Sequence, residues 1–271
     1  MTGRKFWFIW GGLFLAILVA SALFGPFLSA DPAKPDLYAR LLAPSFAHPC
    51  GTDELGRDVL ARLFSGGRIS LAVAVSVVLL AGGLGIILGA VSGYWGGRLD
   101  SFLMRTVDVM NCVPTYFLIL SLVVIIGPSL FNVVLVLGLT SWTGMARLVR
   151  AELLSLRERE FVLAARAAGL PARRIIARHI LPNLGTTILV ASALLAGDAI
   201  LIESGLSFLG LGVQPPVASW GNLLTSGHEY LQLAWWLIFF PGVAIFLAVA
   251  SFNFLAEGLR DILDPRMRAG S

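Results

Sequence analysis

The sequence predicts an all-helical, polytopic membrane protein with six transmembrane helices and both termini in the cytoplasm. Three observations carry that reading. Hydrophobic residues make up 57% of the 271-residue chain against 13% charged, six apolar stretches reach spanning length, and lysine and arginine collect on alternate connections. An ordinary soluble domain carries roughly 25% charged residues, so this chain has too few to cover a water-facing globule. Its mean hydropathy of +0.85 points the same way. The figures exclude a disordered chain and a lysine-rich nucleic-acid binder, and they make the bilayer the solvent. The net charge of +4 is then read as loop charge facing the cytoplasm rather than as affinity for an anionic ligand.

A helix that crosses the hydrocarbon core of ~30 Å needs about 20 mostly apolar residues. The first such stretch, Phe6 to Leu28, follows Arg4 and Lys5. It exceeds the roughly 7–15 residues of a secretory signal core, and Leu28-Ser29-Ala30 is a poor cleavage site, so residues 1–28 are expected to stay as an anchor. The second span runs from Ile69 to Trp95 without a charge, the third from Ser101 to Ile126 and the fourth from Leu130 to Met145. The fifth covers Leu184 to Leu206 and the sixth Leu233 to Leu255. An extracytoplasmic segment (29–68) thus precedes a permeation core (69–257), which holds a large inner loop (147–182) and an outer loop (207–232). A cytoplasmic tail (258–271) closes the chain.

Charge sets the orientation. With the N-terminus inside, fifteen lysines and arginines fall on the cytoplasmic side against five outside, a positive-inside distribution. Eight of the fifteen lie between Arg147 and Arg178. The five outer ones are matched by Asp31, Asp36, Asp53, Glu54 and Asp58, while prolines at 32, 35, 44 and 49 forbid long helix in the first half of that segment.

Several chemistries are excluded by missing residues. A P-loop needs a lysine directly after glycine, yet Lys5 follows Arg4 and Lys34 follows Ala33. His48, His179 and His228 lie in three separate loops without zinc-pair spacing. No nucleophile elbow and no H-E-x-x-H is present, and no metal ligand set is assigned. Cys50 and Cys112 are read as free thiols.

The inner loop reads Glu160-Phe-Val-Leu-Ala164-Ala165-Arg-Ala-Ala-Gly169-Leu-Pro171, then Ala172-Arg-Arg-Ile-Ile-Ala-Arg178-His-Ile-Leu181-Pro182-Asn183. It predicts a short alanine-rich helix with a smooth face, a Gly-Leu-Pro break, and a second short helix that ends at the fifth span. On physical grounds a solvated connector and a docking element stand equal. The spacing of Ala164-Ala165, Gly169 and Leu181-Pro182 resembles the EAA loop of ATP-binding-cassette importer permeases. Two positions depart from that pattern, with Leu163 in place of its glutamate and His179 in place of its isoleucine; both look like the peptide and nickel branch of the family. Further blocks resemble the C-type subunit of dipeptide, oligopeptide and nickel permeases. They are His48-Pro-Cys-Gly-Thr-Asp-Glu-Leu-Gly-Arg-Asp58, Gly93-Tyr-Trp-Gly-Gly-Arg-Leu-Asp100, Glu203-Ser-Gly-Leu-Ser-Phe-Leu-Gly210, and Leu259-Arg-Asp-Ile-Leu-Asp-Pro-Arg266.

The resemblance implies a type I importer permease architecture and one half of a heterodimeric channel. Two cytoplasmic ATPase subunits would dock on the inner loop through Glu160, Ala164, Ala165, Gly169, Leu181 and Pro182. An extracytoplasmic binding protein would deliver the substrate. This chain would carry no cofactor and perform no catalysis, ATP and magnesium being held by the partner ATPases. Short peptides are the expected cargo, with nickel or another metal chelate as the alternative. A stand-alone channel or secondary carrier is the rival class.

A few single residues carry expectations of their own. Asp198 and Glu203 lie in the fifth span, where a carboxylate costs roughly 2.5–3.5 kcal/mol on insertion scales. They either line the translocation path or, for Glu203, bond the outer loop or a partner. Arg105 and Asp108 are spaced to form an intramembrane ion pair, and Asp100 is placed to cap the third span. Gly85, Gly89 and Gly93 form a small-residue stripe that packs either within the chain or on the second permease. The segment around Gly51 to Asp58 is assigned to the outer gate or the binding protein.

Overall fold

The computed structural model describes residues 2–29 and 31–263. Met1, Ala30 and residues 264–271 fall outside them, so Asp264, Pro265 and Arg266 of the tail motif lie outside the described residues, as does Arg268. Apart from one isolated bridge between Thr52 and Asp58, the described residues form helices and loops. The helices are α1 (Thr2–Leu28), α2 (Val59–Val77), α3 (Gly83–Trp95), α4 (Gly97–Cys112), α5 (Thr115–Ile126) and α6 (Leu130–Thr140), followed by α7 (Trp142–Leu156), α8 (Glu160–Ala167), α9 (Ala172–Ile175), α10 (Gly185–Phe208), α11 (Trp220–Glu229) and α12 (Trp236–Leu263). Five helical runs are long and apolar enough to cross a membrane, and a sixth is completed when α4 and α5 count as one bent span.

The bend corrects the straight third span expected from hydropathy. The axes of α4 and α5 differ by 83°. Val113 adopts extended backbone (φ −93°, ψ 129°) directly before Pro114, as the ring of a proline demands of its predecessor. Hydropathy averages over such a break.

The second span starts earlier than expected. One helical run extends from Val59 through a single π-turn (Val78–Gly82) to Trp95, its first turn capped by the Asp58 side chain, which accepts from Ala61 N at 2.9 Å. Two arginines are thereby drawn into the helix, and each has a partner. Arg62 reaches Asp53. Arg68 donates to the carbonyls of Ala22 and Leu23 in α1 at 2.7 and 2.6 Å.

The segments 31–58 and 209–235 fold into a cap at one end of the bundle. Asp53, only 1% exposed, accepts from Arg57 Nε at 2.6 Å, from Arg62, and from the backbone N–H groups of Leu55 and Arg57. Glu54 accepts from Ser226 of α11 at 3.2 Å, and Trp236 Nε1 donates to the Thr52 carbonyl at 3.1 Å. The His48–Asp58 motif is thus the knot that fastens the cap to α11 and α12. The loop 207–232 contains α11, started by a reciprocal capping box between Ser219 and Asn222.

Candidate coupling surface and transmembrane path

At the pole opposite the cap, α7 leaves the bundle and leads into the short helix α8. Met145, Val149 and Leu153 recur every fourth residue along α7 and meet the glycine stripe of α3. A methyl on Gly89 would stand 2.5 Å from the Ala146 carbonyl oxygen and 2.9 Å from Val149 Cβ; on Gly85 it would stand 2.6 Å from Met145 Cβ. Only glycine admits α7 at this distance, so the stripe packs within the chain.

Three polar rungs join α7 to α4. Arg150 donates from Nε and Nη2 to the two oxygens of Asp100 at 2.5 and 2.6 Å. Arg147 Nη2 donates to Asp108 at 2.5 Å, and Thr143 donates to Asn111 at 3.2 Å. Two expectations are corrected here. Asp100 does not cap α4, because Gly96 is the N-cap and a bidentate guanidinium binds a carboxylate more strongly than one backbone N–H does. Asp108 pairs across to Arg147 instead of forming the intrahelical pair with Arg105, since the facing helix presents a fork directly to it.

The helix α8 has two unlike faces. Val162 and Ala165 are buried in one cluster with Val149 and Leu153 of α7 and with Ile175, Ile180 and Leu184, against which Leu181 also packs. Arg166 lies 4.9 Å from the ring centre of Tyr94, and Arg157 donates to the Gly93 carbonyl at 3.1 Å. The other face is bare. Phe161 and Leu163 are 41% and 46% exposed, and Ala164, Ala167 and Ala168 are exposed beside them. The alanine pair therefore divides, Ala165 inward and Ala164 outward.

Glu160 opens α8 from an exposed position, where its charge suits the N-terminal end of the helix dipole. Gly169 closes the helix with φ +74°, and Leu170 N donates back to the Ala165 carbonyl at 3.2 Å, a left-handed closure that glycine adopts without strain. The chain then runs helically from Ala172 to Phe208. Pro182, exposed, sits at the start of its 3-10 turn (Leu181–Leu184). The inner face of α8 thus packs both on α7 and on the foot of α10.

The two carboxylates of α10 part ways. Glu203, for which a bond to the 207–232 loop stood beside a place on the path, is 0% exposed. It accepts from Ser207 Oγ at 2.7 Å and from Ser70 Oγ at 3.2 Å, and Ser70 in turn accepts from Trp220 N at 3.2 Å. This places Glu203 in a sealed joint between α2, α10 and α11. Asp198 is exposed and borders a cavity of 380 Å³ whose polar wall is Thr115, Thr140, Ser141 and Thr143. Those hydroxyls were missed in the sequence; the signal for them was the run Thr140-Ser141-Trp-Thr143 inside an otherwise apolar span.

Comparison with known proteins agrees with this geometry. The family described as binding-protein-dependent transport system inner membrane component matches residues 85–269. A dipeptide transport system permease protein of Bacillus subtilis is 44% identical over 260 residues, covering 95% of this chain and 81% of that one. A putative peptide permease protein of Brucella suis is 45% identical, covering 95% and 86%. An oligopeptide transport system permease protein of Haemophilus influenzae is 43% identical, covering 82% and 71%. In fold, the chain is similar to a solved inward-facing methionine ABC transporter, with a TM-score of 0.60 at 17% identity over 75% of this chain and 97% of that one. With two thirds of its length matched by one family and relatives above 40% identity across nearly all of it, the chain belongs to the binding-protein-dependent transport system inner membrane components, as a multi-pass permease subunit of an ATP-binding-cassette importer.

Proposed function

We propose that this chain moves short peptides across the cytoplasmic membrane as one half of a two-permease channel. Its termini and the 147–182 loop face the cytoplasm, as the positive-inside count requires. Two ATPase subunits grip α8 from the cytoplasm, and ATP and magnesium belong to them. A binding protein delivers cargo at the cap. The names of the relatives given above support peptides over nickel or another metal chelate as that cargo.

The observation that carries the reading is the division of α8. Its inner face shares a core with the end of α7 and the foot of α10, while its outer face offers apolar and small side chains to a partner. The position of Glu160, Ala164, Ala165, Gly169, Leu181 and Pro182 in or beside this element supports an EAA-type coupling loop, and Leu163 supplies an apolar contact where the general motif has a carboxylate. When the ATPases close, α8 is driven against that core and the α10 rod tilts with it. The path opens alternately to either side.

Uptake of a labelled tripeptide into proteoliposomes tests the reading. The chain is assembled there with its second permease, ATPases and binding protein. Accumulation that requires ATP on the ATPase side supports it. Uptake of a nickel chelate with no uptake of peptide refutes the substrate, and uptake without ATP refutes the mechanism.

A further inference from the structure

The cavity beside Asp198 lies where the helical ladder is interrupted twice. Thr115 begins α5 immediately after the 83° bend at Val113–Pro114, and Ser141 is the single residue between α6 and α7. Irregular backbone at membrane depth persists only where protein buries it or where it lines a polar cavity. Both interruptions here open on the same 380 Å³ space. A second cavity of 220 Å³ adjoins it and shares Ser141, Leu195 and Asp198.

Asp198 stands within α10, among apolar residues, and its carboxylate faces that space. No ion pair of the described residues includes it. This sets it apart from Asp53, Asp100 and Asp108, each of which holds an arginine. An ionisable group held inside a membrane without a fixed partner marks a site through which a charged species passes. Thr140 and Thr143 line the cavity, and with Thr143 donating to Asn111 and Thr140 to the Val136 carbonyl each hydroxyl oxygen keeps acceptor capacity. Acceptors surrounding one carboxylate suit a positively charged hydrogen-bond donor.

We infer that Asp198, with Thr115, Thr140, Ser141 and Thr143, forms a way-station for the cationic end of the cargo, the α-ammonium group of a short peptide. This rests on the proposed import function and adds to it the polarity of the path. The ammonium group exchanges part of its hydration for the carboxylate and the hydroxyls. It leaves again because one carboxylate and a ring of neutral oxygens hold it only transiently.

The test reads charge preference directly, in the assembled importer in proteoliposomes. Cys112 is replaced by serine and Ser141→Cys is introduced. Modification by a cationic trimethylammonium methanethiosulfonate is then compared with modification by its anionic sulfonate counterpart, each rate being divided by that reagent's rate with a small free thiol. With Asp198 present the cationic reagent should react about tenfold faster, and Asp198→Asn should bring the two rates together. Thr115→Cys, on the other wall, should give the same ratio, which guards against misfolding of the first variant. Equal rates with Asp198 intact, or no reaction at either cysteine, would overturn the inference. So would loss of the second permease from the complex on Asp198→Asn, which would assign the carboxylate to a subunit interface. If the charge ratio holds while the unaltered importer takes up no peptide, the way-station stands and the peptide reading falls.

Discussion

Arg68 Nε lies 2.7 Å from the carbonyl oxygen of Ala22, the acceptor that Pro26 leaves without its helical donor. Proline has no N–H to offer the fourth residue before it, and Pro26 sits inside α1. The guanidinium supplies the missing donor, takes the Leu23 carbonyl at 2.6 Å as well, and lies over the Phe27 ring at 5.2 Å. An arginine inside an apolar helix thus becomes the clasp between α1 and α2. Arg68→Ala should lower unfolding free energy by about 1–3 kcal/mol, the cost of orphaning the carbonyl of buried Ala22. Pro26→Ala should weaken that loss, because the substitution restores the backbone donor. A double-mutant cycle on thermal unfolding in detergent measures the coupling; strict additivity contradicts the assignment.

The glycine stripe gives a contrast within one helical run. Gly89→Leu should destabilise by about 1–3 kcal/mol, because the side chain meets backbone of α7 rather than a movable group. A methyl added at Gly83 would meet nothing within 4 Å, so Gly83→Ala should be neutral or stabilise by up to about 1 kcal/mol. Thermal unfolding of the two variants side by side checks the pair. An equal loss at both positions would remove the close-packing account.

At the cap, Asp53 holds two buried guanidiniums. Asp53→Ala leaves Arg57 and Arg62 without their shared counter-charge, which should cost about 3–5 kcal/mol. The cap should then open to limited proteolysis within residues 31–58 while the membrane helices stay protected. Unchanged cleavage would mean that the knot does not hold the cap.

The two thiols should differ sharply. Burial, with Asp58 nearby, pushes the Cys50 thiol up to about 11, and the thiolate is the reactive form. At about pH 7.5, N-ethylmaleimide should therefore add once to the purified chain in detergent, at exposed Cys112. Because the raised value makes the thiolate scarcer at neutral pH, Cys50 modification should rise as pH approaches 11. Intact mass and peptide mapping read the result, and two rapid adducts at neutral pH would contradict it.

Much of the fold was legible in the residue order. Six apolar runs and the glycine spacing at 85, 89 and 93 reported the bundle, because helical period and apolar length are local properties. The α8 helix and its stop at Gly169 were legible for the same reason. What escaped were contacts between distant residues. Asp100 and Asp108 each had a nearer candidate role, a cap and an intrahelical pair, and each took an arginine from α7 instead. The bend at Pro114 was hidden by continuous hydropathy, although the Val-Pro step marked it. For Glu203 the sequence leaves the path and a structural bond both open, because Ser70, distant in the chain, is brought beside it only by the fold. Asp198 looked the same in the sequence and is the one left facing a cavity.

The central claim is that α8 is the handle by which partner ATPases move this chain, and its bare face offers the most direct measurement. The assembled complex is purified with unaltered chain, with Leu163→Arg or Ala164→Trp on the outer face, and with Glu257→Gln, away from α8, as control. ATPase retention and ATP-driven uptake are then measured together. The account predicts at least a roughly tenfold loss of retained ATPase for the two outer-face variants, since each hot-spot contact is worth about 1–2 kcal/mol or more, with chain stability and the control unchanged. Full ATPase retention and full uptake with Leu163→Arg and Ala164→Trp would contradict it.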